Sequence, residues 1–97
     1  MKKINKVVLY DVDDDINSTI EWVNISEDGN LILQADDCGQ TPLKFWGDID
    51  YEYWRFVDKD WKDTVLLLLM KDRFKRFSDL ENWIIEKKVP NTFGSYI

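Results

Sequence analysis

Short β-branched and aromatic runs fill the first half of the chain, and longer stripes with helical spacing fill the second. Residues 6–10, Lys-Val-Val-Leu-Tyr, form an apolar run that ends in acids and reads as a first strand. Asp11-Val12-Asp13-Asp14-Asp15-Ile16-Asn17 is polar and turn-rich and reads as a loop. Residues 19–25 alternate β-branched and aromatic side chains with polar ones. Ser26-Glu27-Asp28-Gly29-Asn30 follows, and Asp-Gly between two strand-like runs is the strongest short hairpin signal. Residues 31–35, Leu-Ile-Leu-Gln-Ala, supply the return strand, and residues 36–44, with Gly39 and Pro42, read as a connection.

That connection delivers the chain to Phe45-Trp46-Gly47-Asp48-Ile49-Asp50-Tyr51-Glu52-Tyr53-Trp54-Arg55-Phe56-Val57, where aromatics and acids interleave. Residues 49–57 read as a strand, and its pleat sorts side chains by parity. Glu52, Trp54 and Phe56 fall on one face, and Tyr51, Tyr53, Arg55 and Val57 on the other. The reading places Trp54 and Phe56 against the helices and leaves Tyr51, Tyr53 and Arg55 on a partly open face.

From Trp61 the period changes. Val65, Leu68 and Leu69 keep helical spacing, while Leu66, Leu67 and Met70 widen the stripe until the middle of the helix is apolar almost all round. Such a helix is expected to be buried on more than one side. Asp58 and Asp60 offer N-cap chemistry, and Lys71, Arg73, Lys75 and Arg76 load the other end with cations, both favourable to the helix dipole. Ser78-Asp79-Leu80-Glu81 matches the capping box S-x-x-E and predicts a second helix to about residue 88, with Leu80, Trp83 and Ile84 inward. Pro90 stops it, and the tail, with Phe93, Tyr96 and Ile97, adds a short strand or lies across the core. Strands first and helices last predict an α+β fold: an antiparallel sheet of about four strands with two C-terminal helices packed on one face. At 97 residues the chain reads as a single domain, 1–97.

Composition narrows the function classes. The chain has 19 acids against 13 bases, a net charge of −6, and 14% aromatic residues, so a folded acidic domain is expected. Acidic balance argues against non-specific nucleic-acid binding, which needs cations to displace counterions, and favours a basic protein partner. The single Cys38 excludes an internal disulfide and suits a reducing compartment, so the expectation is cytoplasmic. Met1-Lys2-Lys3 is followed too soon by Asn5 and Lys6 for a signal peptide. The apolar run of residues 65–70 falls far below the ~20 residues of a membrane span. No lipidation motif is read at either end, and no membrane association is expected.

The chain has no histidine, which removes the commonest general base and metal ligand and every standard Ser-His or Cys-His pair. Cys38 sits beside Asp36 and Asp37, whose charge disfavours a reactive thiolate. Asp11, Asp13 and Asp15 open like an EF-hand loop, a weak candidate for a metal. Ile16 then stands where the turn glycine belongs and Trp22 where the bidentate glutamate belongs. Asp11-Val12-Asp13 also mimics the strand-end motif of haloacid-dehalogenase phosphatases, a doubly wound fold that needs far more chain. Asp48, Asp50 and Glu52 form a further carboxylate group, with Lys44 and Arg55 as available salt-bridge partners. With only four glycines there is no phosphate loop, and no cofactor is expected.

Gln34-Ala35-Asp36-Asp37-Cys38-Gly39, then Trp46-Gly47-Asp48-Ile49-Asp50-Tyr51-Glu52-Tyr53-Trp54, then Lys71-Asp72-Arg73-Phe74 after the leucine-rich helix, carry a resemblance. Over roughly residues 30–97 the chain resembles a group of small uncharacterised bacterial proteins. They share a D-x-G turn, a G-D-x-D-Y-E-Y-W strand, a leucine-rich helix ending in K-x-R-F and an aromatic tail. The resemblance implies the fold and the domain limits and brings no activity with it.

Two function classes follow. The first is a non-enzymatic protein-binding module, of an immunity or inhibitor type, presenting Trp46, Asp48, Asp50, Tyr51, Glu52, Tyr53 and Arg55 to a basic partner. The second is a small carboxylate-based enzyme or a weak divalent-metal domain. Ordinary cross-strand tyrosines and solubilising acids explain the same residues without any site. A monomer and a homodimer both fit.

Overall fold

The computed structural model describes residues 1–39, 47 and 50–96. It has four strands, β1 (Lys6–Asp13), β2 (Asn17–Ile25), β3 (Leu31–Gly39) and β4 (Asp50–Val57), then two helices, α1 (Lys59–Arg73) and α2 (Phe77–Glu86). The strands form one antiparallel sheet in the order β1-β2-β3-β4, so the fold is α+β. The chain divides into two compact units, residues 4–62 with the sheet and residues 63–97 with residues 1–3.

The β2–β3 hairpin closes where Asp28-Gly29 predicts it. The Ser26 N–H donates to the Asn30 carbonyl at 2.9 Å, the Gly29 N–H to the Ser26 carbonyl at 2.9 Å, and Gly29 takes φ +88°. The β1–β2 connection is tighter than the expected loop. Only residues 14–16 separate the two strands, because Asp14 Oδ1 accepts from the backbone N–H groups of Ile16 (2.8 Å) and Asn17 (2.7 Å). Those bonds hold the Asp14 carboxyl below the usual carboxylate range, the Asn17 bond first and the Ile16 bond second.

The expected connection over residues 36–39 is instead the end of β3, paired on both sides. Asp36 lies opposite Ile20 and Glu52, Asp37 opposite Thr19 and Tyr51, and Cys38 opposite Ser18 and Asp50. Gly39 ends this extension opposite Asn17 with φ +125°, a conformation that disfavours any side chain. A Cβ there would run into the Ile16 carbonyl oxygen and the Asn17 Cα.

Pairing and pleat give the sheet two faces. A tyrosine face carries the rows Tyr10, Glu21, Ala35, Tyr53 and Val12, Thr19, Asp37, Tyr51. A tryptophan face carries the rows Val8, Trp22, Gln34, Trp54 and Asp11, Ile20, Asp36, Glu52. A bulge between Val8 and Tyr10 shifts the register of β1. Ala35, 7% exposed, is the one buried apolar residue among those described. Trp54 and Phe56, expected to be covered, are 69% and 54% exposed, whereas Tyr51 is half-buried. Chain parity sorts these residues correctly, and Tyr53 and Arg55 are exposed as expected of a partly open face.

α1 starts on two side-chain caps. Asp58 Oδ2 accepts from the Asp60 N–H at 2.9 Å, and Asn30 Oδ1, reaching from the β2–β3 turn, accepts from the Lys59 N–H at 2.8 Å. The helix ends at Arg73, before Lys75 and Arg76, and keeps Lys71 and Arg73 in its last turn. In its apolar stripe Leu67 is 64% exposed, Leu66, Leu68 and Leu69 are exposed with it, and Val65 and Met70 are half-buried.

The predicted capping box does not form. α2 starts at Phe77, two residues early, so Ser78 lies within the first turn, and the N-cap position, Arg76, provides no side-chain bond. The C-terminus is well closed: Lys88 N–H donates to Ile85 C=O at 3.0 Å and Val89 N–H to Ile84 C=O at 3.2 Å, with Lys88 at φ 58°. That is a Schellman closure with lysine where glycine is usual. Phe74 and Trp83 meet edge to face at 6.0 Å across the α1–α2 junction. Residues 91–96 form no strand.

Candidate functional site

The predicted partner-binding residues separate in the structure. Trp46 and Asp48 lie outside the described residues. Asp50 and Glu52 belong to the tryptophan face, and Tyr51, Tyr53 and Arg55 to the tyrosine face. They cannot form one contiguous surface, because a strand sends successive side chains to opposite sides.

On the tyrosine face, the rings of Tyr51 and Tyr53 lie 5.2 Å apart with a 35° tilt. Burial pushes the Tyr53 hydroxyl pKa up, and the negative charge of Asp37 and Glu21 adds to the effect. A hollow of about 360 Å³ is lined by Leu9, Glu21, Leu33, Ala35, Tyr53 and Arg55, and also by Trp22, Gln34 and Trp54.

On the tryptophan face, the pairing of β3 with β4 brings Asp36, expected in a connection, against two acids of β4. Asp36 faces Glu52 directly and Asp50 diagonally, and carboxylate oxygens of all three lie within 4.8 Å of one another. Asp36 Oδ1 is shut away from solvent without a hydrogen-bond partner. A side-chain hydrogen bond with Asp50, then partial burial, then the charges of Asp50, Glu52 and Asp37, push the Asp36 carboxyl up to about 6. Each of these influences acts in the raising direction. Asp50, Glu52 and Asp37 thus all add negative potential at the Asp36 carboxyl. Trp54 stands exposed next to it, and a shallow hollow of about 190 Å³ runs between Trp22, Gln34, Asp36, Glu52 and Trp54.

Chemically, the trio suits a bound cation: an ammonium, a guanidinium or a divalent metal ion. The other acidic group does not converge. Asp11 and Asp13 point from β1, Asp15 sits in the turn, and among the described residues Asp36, Asp50 and Glu52 alone cluster with metal-ligand spacing. Asp14, between Asp13 and Asp15, is committed to the turn. Cys38 is free and exposed at the far end of β3. Among the described residues no helix is long and apolar enough to cross a membrane.

No family model matches the chain, no curated protein matches it, and no solved structure matches it.

Proposed function

We propose that this chain is a non-enzymatic protein-binding module that takes a basic partner on the β3–β4 part of its tryptophan face. Its class is that of an immunity or inhibitor protein acting in the cytoplasm, an analogy that rests on its small size and acidic charge. One observation carries the reading: Asp36, Asp50 and Glu52 crowd within 4.8 Å beside an exposed Trp54. A lysine or arginine of the partner would relieve the repulsion and lay its charge against the indole, gaining a salt bridge and a cation–π contact together. An aromatic anchor rimmed by charge is the usual anatomy of a binding hot spot. The tyrosine face, with Tyr51, Tyr53 and Arg55, is a second surface of the same sheet and is not needed for this contact.

The test is a quantitative pull-down from the source cell with the wild type, Asp50→Asn/Glu52→Gln and Tyr51→Ala/Tyr53→Ala. A basic protein recovered by the wild type and the tyrosine variant but lost with the carboxamide variant supports the reading. Equal recovery by all three contradicts it. A divalent cation is the alternative occupant, favoured by the same 4.8 Å spacing. Calcium or magnesium titrated against tryptophan fluorescence separates the two: a saturable change abolished by Asp36→Asn assigns the trio to metal.

A further inference from the structure

We propose that β1 pairs antiparallel with β1 of a second copy of this chain, joining two four-stranded sheets into one of eight strands. β1 is an edge of the sheet, and all eight of its residues are exposed. Val7, Val8, Leu9, Tyr10 and Val12 are among them, so the edge is long and apolar, the kind that invites another strand.

The register follows from parity and charge. In a two-fold pair each residue must oppose one on the same face. The bulge at Leu9 reverses parity midway: Lys6, Val8, Asp11 and Asp13 share the tryptophan face, and Val7, Tyr10 and Val12 the tyrosine face. Leu9 itself borders a hollow whose other lining residues are mostly of the tyrosine face, Glu21, Leu33, Ala35, Tyr53 and Arg55. A two-fold axis between Leu9 and Tyr10 then sets Lys6 opposite Asp13, Val7 opposite Val12, Val8 opposite Asp11 and Leu9 opposite Tyr10. Every pair keeps its face, and the whole strand is used. A bulge ordinarily blunts an edge, but here it is what makes the faces match. Both ends of the pairing carry opposite charges, Lys6 against Asp13. The other edge, β4, has no bulge in its pairing with β3. Its face-preserving registers set Glu52 against Trp54 or Phe56, or against a second Glu52, and create no opposite-charge pair.

Lys6 and Asp13 of one strand lie ~23 Å apart, at ~3.3 Å per residue, so they cannot pair within a chain. This makes a charge swap diagnostic. Sedimentation velocity on the full chain, from low to high micromolar concentration, is expected to show a monomer–dimer equilibrium. Lys6→Asp alone and Asp13→Lys alone each weaken it about tenfold, since two symmetric pairs turn repulsive, and the double variant restores it. Lys6→Asp/Asp11→Lys does not, which fixes the register. Circular dichroism checks that each variant is folded. Should a variant unfold, hydrogen exchange on the wild type decides: β1 amides gain protection with concentration if the edge pairs. A chain monomeric throughout, folded variants without rescue, or β1 exchange independent of concentration would overturn the proposal.

Discussion

Replacing Asp36 with asparagine tests the electrostatics on which the functional reading stands. The substitution keeps the shape of the side chain and removes one of three charges whose oxygens lie within 4.8 Å. At that spacing one like-charge pair costs on the order of 1 kcal/mol in a water-like dielectric. Asp36 is only half-buried, so solvent screening holds the whole effect to about 1 kcal/mol. The sign follows from linkage. The folded-state pKa is pushed up from the usual 3.8 to about 6, so between those values the folded chain holds a proton that the unfolded chain releases. The native state is favoured by this group below pH 3.8, loses that advantage as pH rises through about 6, and bears the full repulsion above it. Asp36→Asn should therefore stabilise the protein by about 1 kcal/mol at pH 8 and leave it nearly unchanged at pH 4. Urea denaturation followed by tryptophan fluorescence, wild type against variant across that range, measures the difference. A variant less stable at pH 8, or a difference that does not change with pH, would refute the electrostatic account.

Other consequences are open to the same assay. Gly39→Ala should cost about 3 kcal/mol, combining a φ of +125° that alanine resists with a Cβ driven into the Ile16 carbonyl. An effect under about 0.5 kcal/mol would mean that the end of β3 is not held against β2. Lys88→Gly should stabilise by about 1 kcal/mol, because glycine adopts the φ of 58° without strain, and thermal unfolding would register the gain. The charge swap between Lys6 and Asp13 tests the edge pairing as set out above.

How much was legible in the sequence depended on how local each signal is. Asp28-Gly29 marked its hairpin because the turn's positive φ is a property of the glycine itself. Alternation in residues 49–57 sorted Glu52, Trp54 and Phe56 from Tyr51, Tyr53 and Arg55 correctly. It also held the information that Asp50 and Glu52 could not share a surface with the tyrosines, which grouping by proximity overlooked. Asp36 was hidden for a different reason. Asp36-Asp37-Cys38-Gly39 has turn-like composition, and its strand character comes from pairing on both sides, a tertiary fact. Its place opposite Glu52 needed the register of β3 against β4. The capping box misses by two residues, since the N-cap is Arg76 and Ser78 becomes a first-turn residue. In α1, periodicity reports which side chains are apolar, and not what covers them.

The central claim is that the carboxylate trio beside Trp54 receives a basic group. A titration of the ¹⁵N-labelled chain with an arginine- and lysine-rich peptide, against a neutral peptide of equal length, addresses it most directly. The account predicts saturable shifts centred on Asp36, Asp50, Glu52 and the Trp54 indole, lost in high salt and lost in Asp50→Asn/Glu52→Gln. Shifts spread evenly over the acidic surface, or centred on the tyrosine face, would contradict it.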